Sequence, residues 1–306
     1  MFKNYLKTAL RNLSRHKSHS FINIAGLTVG FAAFLLIFLV IQYEQSFDDF
    51  HPKKDKIYRL VRNGKNAVGK EYRVGVPFPV TQGLRTDFPQ LANAAAIFGG
   101  GNTQVNVTAA DGTILKKFKE NRGVFIAEPR FFQMFNFPLV QGNIENAITE
   151  PNTALLTKDI ATKYFDDWKT AIGKTLKVFG KNVKITGILD NPPFNTDFPL
   201  KVVVSYSTFT KNFNMNDWGS ISDENYCFVQ LGNNNSPVQF DKLLVGFVDK
   251  HIKAINPNYD LALQPLKEMH YDERYENFNG RTFSKDLILA LSLIGLFLLI
   301  IACVNF

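Results

Sequence analysis

Two apolar runs free of Asp, Glu, Lys and Arg bracket this chain, at residues 18–43 and 287–306. A helix needs about 20 residues to cross the hydrocarbon core of a bilayer, and each run is long enough. All 27 acidic residues and 30 of the 35 Lys and Arg fall between them, within residues 44–286, a composition that belongs in water. The chain therefore divides into an arm (1–20), a first span (21–43), a water-facing domain (44–286) and a second span (287–306). The second run reaches Phe306 without a basic flank, so the chain reads as the N-terminal part of a longer protein with more spans.

Charge orients the first span. Lys3, Lys7, Arg11, Arg15 and Lys17 precede it without any acid, whereas Glu44, Asp48 and Asp49 follow it before any base. Basic loops stay in the cytoplasm, so the arm is expected inside and residues 44–286 outside. A cleaved signal sequence fits poorly, because the run is too long and bulky Ile41, Gln42 and Tyr43 stand where a small-residue cleavage site belongs. Within the arm, Phe2, Leu6, Ala9, Leu10 and Leu13 fall on one helical face and the basic residues on the other. Such a helix either lies along the anionic inner leaflet or only sets topology. The net charge of +8 thus belongs largely to topology, and no basic stripe interleaved with aromatics points to nucleic acid. Cys227 lies in the outer domain and Cys303 in the second span, so they are not expected to pair.

The outer domain reads as α+β. Strands are expected at 57–62, 94–98, 103–108, 124–127, 174–179, 183–189, 201–206, 226–231 and 261–266. Helices are expected at 79–88, 129–135, 158–165 and 237–255, with Thr157 and Ser236 as N-terminal caps. Gly99, Gly100 and Gly101 read as a turn, and Gly232–Ser236 as a loop. A closing β-α-β unit and a strand-rich inner part near 115–200 give two subdomains.

Several motifs tempt, and most fail on chemistry. Gly64-Lys-Asn-Ala-Val-Gly69-Lys70 nearly spells a phosphate-binding loop, but Glu71 stands where a magnesium-binding hydroxyl is required. Gly173-Lys174-Thr175 has the right ending, with Trp168 in place of the first glycine. Both are expected to be turn and strand residues, and no ATPase is encoded. His16, His19, His51 and His251 have no metal-ligand spacing. Glu268 and His270, two apart on an expected strand, share only a face. No catalytic, cofactor-binding or metal-binding residues are assigned. The Phe-rich stretch around Phe131, Phe132, Phe135 and Phe137 is read as core in preference to a ligand box. Gly26 and Gly30 form a G-x-x-x-G pair, the spacing that lets a span pack closely against another helix.

The residues then become recognisable. KNYLKTALRNLSRHKSHSFINIAGLTVGFAAFLLIFLV followed by YEQSFDDFHPKKDKIYRL resembles the start of MacB-type, FtsX-like ABC transporter permeases. VFIAEPRFFQMFNFPLVQG, PNTALLTKDIATKYF, AIGKTLKV and ITGILDNPP resemble the periplasmic core domain of that family, and LQPLKEMHY with IIACVNF its run into the second span. The resemblance covers nearly the whole chain in order. It implies a Porter-like β-α-β part with an inserted, strand-rich Sabre-like part in the periplasm, flanked by two transmembrane helices in a bacterial inner membrane. It also implies a separate ABC ATPase subunit, a homo- or pseudo-dimeric permease partner and, in some members, a periplasmic adaptor and an outer-membrane channel. ATP-driven closure would pass through the spans to the periplasm, for export or extraction of an antibiotic, peptide or lipoprotein. The ATPase contact would lie beyond residue 306. The same layout fits the extracytoplasmic sensor domain of a signalling receptor; further spans would mark the permease and a kinase module the sensor.

Overall fold

The computed structural model describes Arg11, Arg15 and residues 17–304, except 67–68, 100, 144–145 and 234; the side chains of Lys65 and Asn66 are also outside that description. Most of the arm, including Phe2, Leu6, Ala9, Leu10 and Leu13, lies outside the described residues. The chain forms two compact units, one holding both apolar segments (up to Ser46 and from Phe283) and the other comprising Phe47–Thr282.

In the first unit, α1 (Lys17–Gln45) and α6 (Lys285–Val304) pack antiparallel. At about 1.5 Å per residue, the shorter of them is as long as a hydrocarbon core is thick. Gly295 of α6 faces Phe34 and Ile37, while Gly30 of α1 faces Ala302 and the carbonyl of Leu298. Phe21, Leu36, Phe297 and Ile301 remain exposed on the outside of the pair, an apolar surface that suits lipid.

The second unit is built on one sheet. In chain order its elements are β1 (Ile57–Asn66), β2 (Gly69–Arg73), α2 (Val80–Asp87), β3 (Asn93–Gly99), β4 (Thr103–Thr108), β5 (Ile114–Glu120) and β6 (Val124–Ala127). Then follow α3 (Pro129–Met134), β7 (Leu139–Gln141), β8 (Thr153–Thr157), α4 (Lys158–Phe165), β9 (Thr175–Val178) and β10 (Lys181–Leu189). The last are β11 (Val202–Ser205), β12 (Asn225–Gln230), α5 (Pro237–His251) and β13 (Asp260–Pro265). The 13 strands run β13-β1-β12-β3-β6-β11-β8-β10-β9-β4-β5, with β2 on β1 and β7 on β10. Helices and strands intermix, as the α+β class requires. The closing β12-α5-β13 unit is split, because antiparallel β1 lies between its two strands.

Alternation assigns each strand's faces. On β1, Ile57 and Val61 join one core while Tyr58 and Leu60 join another under α2 and α5. On β12, Tyr226 and Phe228 face the first, and Cys227 and Val229 the second. Val124–Ala127 and Val202–Ser205 are buried at every residue and pair in parallel near the middle of the sheet. The edges are blunted. Asp241 of α5 accepts the Leu263 N–H of edge strand β13 at 2.9 Å, and edge strand β5 carries Lys116, Lys117 and Lys119.

The phenylalanine run packs as core. Phe131, Phe135, Phe198 and Phe228 are almost fully buried, with ring centroids 4.4–6.3 Å apart. Both near-miss phosphate loops are structural as well: Gly64 and Glu71 sit opposite each other in the β1–β2 hairpin, and Thr175 opens β9.

Local rules mislead at several points. Neither Thr157 nor Ser236 caps its helix through its side chain; Asn191 Oδ1, from a loop, accepts the Asp159 N–H at 3.0 Å. Gly99 belongs to β3 instead of a turn, and α5 ends at His251 instead of residue 255. Glu268 and His270 are not on a strand, because β13 stops at Pro265 and Leu266–Glu268 is a 3-10 turn. Truncating the central ring, Phe131→Ala, should cost about 3–5 kcal/mol, since the packed rings around it prevent collapse of the cavity. Denaturant unfolding of the full chain in detergent checks this, with the half-exposed neighbour Phe132→Ala expected to cost less.

Candidate functional site

The domain receives the chain at Phe47–His51 and releases it after residues 266–282. Both segments converge on a third, residues 194–200, in one buried polar junction. This convergence is the structural feature on which function can be built.

Asp48 begins it. Its φ is +56°, a left-handed conformation that Asp tolerates better than most residues. Its N–H donates to the Asn195 carbonyl at 3.0 Å, and its own carbonyl accepts the His51 N–H at 3.2 Å. Its carboxylate accepts the Thr196 hydroxyl and, at 3.2 Å, the Asp197 N–H. The entry turn is therefore tied to the middle segment by backbone and side chain together.

Asp197 ties the same segment to the exit. Its carboxylate is fully buried, and one oxygen faces His270 Nδ1 at 3.2 Å and accepts from Asn277 Nδ2 at 3.1 Å. Among the described residues no hydrogen bond reaches its other oxygen. Asn277 Nδ2 also donates to the Arg281 carbonyl, and Asn279 Nδ2 to that of Thr196. The Phe47 ring stacks on His270 at 3.5 Å between centroids, with the Arg281 guanidinium 5.6 Å away.

A buried cation anchors the exit segment a second time. Arg59 lies on the aromatic-core face of β1 between Ile57 and Val61, fully buried. Its guanidinium donates to Gln264 Oε1 at 2.9 and 2.6 Å and to the Glu276 carbonyl at 2.8 Å. Burial pulls its pKa down to about 10, opposed by Tyr226, Asp197 and Asp272, so it stays charged at neutral pH.

Two titrating groups are pushed in opposite directions. Burial, reinforced by Asp197, raises the Asp48 carboxyl to about 7. Burial lowers His51 to about 3; its Nδ1 accepts the Asn136 N–H at 3.0 Å, and Phe50, Phe135 and Phe137 surround the ring. His51 Nε2 stands 3.7 Å from Asp48 Oδ1. The neutral forms of both groups suit the site.

Sequence reasoning found little of this. It singled out Glu268 and His270 as a pair, but the imidazole faces Asp197. Arg59, Asp48, Thr196, Asp197 and Asn277 come from distant parts of the chain with no shared motif. Their only local signal is a polar residue inside an apolar strand, at Arg59, and a polar run before Phe198. Gly30 lies where a Cβ would come 2.7 Å from that of Ala302; at Gly26 nothing described lies within 4 Å. Cys227 and Cys303 are both free. The Thr196 hydroxyl, on the residue next to Asp197, is buried against Asp48.

The chain thus carries a sheet domain flanked in sequence by two helices long and apolar enough to cross a membrane. The family described as the MacB-like periplasmic core domain matches residues 20–245. The chain belongs to that family, the ABC-transporter-type permeases, whose members are embedded in the membrane and carry a periplasmic domain. No curated relative matches the sequence. Among solved structures, a domain assigned to a permease protein from Porphyromonas gingivalis is 19% identical with a TM-score of 0.59, covering 79% of this chain and 99% of its own. The periplasmic region of MacB from Actinobacillus actinomycetemcomitans is 13% identical with a TM-score of 0.47, covering 68% and 88%. The extracellular domain of the noncanonical ABC-type transporter YknZ from Gram-positive bacteria is 12% identical with a TM-score of 0.46, covering 67% and 98%.

The two titrations oppose each other. A carboxyl raised from 3.8 to about 7 contributes stability that is full below 3.8 and lost as pH rises through 7. An imidazole lowered from 6.5 to about 3 contributes stability that is full above 6.5 and lost as pH falls through 3. Asp48→Asn should therefore gain on the unsubstituted protein as pH rises between these limits, and His51→Asn should gain as pH falls. Unfolding midpoints of both variants, measured across that range beside the unsubstituted chain, check the signs.

Proposed function

We propose that this chain is the mechanically coupled part of an inner-membrane ABC permease. In this account α1 and α6 are its first two spans, with the arm in the cytoplasm and residues 44–286 in the periplasm. A partner ATPase supplies the energy, and α1 acts as the lever, packed through Gly30. A second permease copy or a related subunit completes the assembly. The work done is export or extraction of a substrate at the periplasmic side.

The observation that carries the proposal is the buried junction. A lever transmits motion only if the segment it drives is rigidly held. Phe47–His51 and 266–282 share hydrogen bonds to Asp197 and its neighbours, so displacement of either segment strains the other. Breaking such a contact leaves a buried group unsatisfied, at a cost of about 1–3 kcal/mol and more for a charge. Charge bias before α1 supports the orientation.

Affinity purification of the full-length protein from native membranes should recover a phosphate-loop ATPase. Recovery of a kinase module without an ATPase would overturn the proposal in favour of a sensor. With the ATPase in hand, Asp197→Ala should leave ATP hydrolysis near its original rate while abolishing its coupling to movement of the periplasmic domain. Spin labels or fluorophores on that domain report the movement. Unchanged coupling in a folded Asp197→Ala protein would remove the junction from the mechanism.

A further inference from the structure

Two carboxylates are buried in the one junction, Asp48 on the entry turn and Asp197 on the middle segment. Asp48 Oδ2 accepts the Asp197 N–H at 3.2 Å, and the neighbouring Thr196 hydroxyl reaches Asp48 Oδ1. Asp197 Oδ2 is buried with no hydrogen bond among the described residues. Two carboxylates sharing a site that excludes water resist ionising together.

Other charged groups approach the pair from three sides. From the exit, His270 Nδ1 stands 3.2 Å from Asp197 Oδ1, and the Arg281 guanidinium lies 5.6 Å from the Phe47 ring. From the sheet, Arg59 acts on Asp197, with its donors bonded to Gln264 and the Glu276 carbonyl. On the entry side, Asp49 is exposed and paired with Lys54, and Lys53 donates to the Gln133 carbonyl. Glu44, four residues before Asp48 in the chain, is buried as well. At Asp48, burial and then the Asp197 charge outweigh the opposing His270 and push the carboxyl up to about 7.

The entry turn offers Asp48 a second partner. His51 Nδ1 accepts the Asn136 N–H at 3.0 Å, so the proton of the neutral imidazole sits on Nε2. That atom is buried, has no hydrogen bond among the described residues, and stands 3.7 Å from Asp48 Oδ1. A protonated Asp48 has no need of it and can give its proton to the Thr196 oxygen, which also accepts the Phe198 N–H at 3.1 Å. An ionised Asp48 is repelled by Asp197 and attracted by His51 Nε2–H.

We infer that the junction is a proton-operated latch. With a proton on Asp48 the entry turn is tied to the middle segment; on its loss Asp48 turns to His51 and the tie opens. A carboxyl raised in the folded state keeps its contribution at low pH and loses it as pH rises through the raised value. If the mechanical reading above holds, coupling of the spans to the domain is strongest in acid. The opening itself requires no ATPase.

Hydrogen exchange of the full chain in nanodiscs tests the latch, read by mass spectrometry from about pH 5.5 to about 8.5 and corrected for the intrinsic rate. Peptides carrying the Asp48 and Asp197 amides should lose protection tenfold or more across that range, while β11 in the sheet centre stays constant. Asp48→Asn, isosteric and uncharged, should hold the low-pH protection throughout. Asp197→Asn, which keeps an acceptor for Asn277, should make the loss smaller and move it to lower pH. His51→Phe, which removes the second partner, should move it to higher pH. Constant protection in the unsubstituted chain, or a loss that persists in folded Asp48→Asn, would overturn the latch. So would a loss abolished by Glu44→Gln and not by Asp48→Asn. All of these are scored without any partner subunit, so they stand apart from failure to recover an ATPase.

Discussion

The carboxylate of Asp197 is the interaction on which the domain's two ends depend. It takes a hydrogen bond from Asn277, faces the His270 imidazole, and through its backbone N–H holds Asp48. Burying a polar group is costly unless it is hydrogen-bonded, so such a group persists only where its partners compensate. Here the carboxylate's partners, His270 and Asn277, come from the exit, while the backbone N–H of the same residue bonds Asp48 of the entry. The cost of burial becomes a requirement that all three stay together.

Arg59 imposes the same requirement from the sheet side. Its guanidinium is fully buried and occupied by Gln264 and the Glu276 carbonyl, which pins the exit segment to β1. An apolar side chain at 59 would satisfy the core equally well but could not bond a backbone carbonyl across the gap. Buried polar groups of this kind select one arrangement over others more than they add net stability. The aromatic cluster of Phe131, Phe135 and Phe198 supplies the packing against which the polar groups are held.

Much of the sheet was legible because its strands alternate or form short continuous apolar runs. β4 and β6 match their expected limits, and α4 does as well. Four strands escaped notice: β8, although Ala154, Leu155 and Leu156 are apolar and buried, and three others that lack an apolar pattern or length. β5, with three lysines, is exposed along most of its length, β2 is a polar edge strand, and β7 has three residues. They form because a neighbour offers unpaired N–H and C=O groups, which is information no local window contains. Thr157 and Ser236 stand at the N-cap positions without a side-chain bond, and at α4 Asn191 reaches the Asp159 N–H from 32 residues away.

By itself the sequence determined two helices long and apolar enough to cross a membrane and an α+β domain between them in the chain, because hydrophobic length and alternation are local properties that water and lipid sort directly. It also determined the family, through motifs spread in order along the chain. Only the tertiary structure decided that Asp48, Arg59, Asp197, His270 and Asn277 form one buried junction. Burial and pairing depend on which distant segments meet, and the energy that selects these polar residues exists only after water has been excluded from around them.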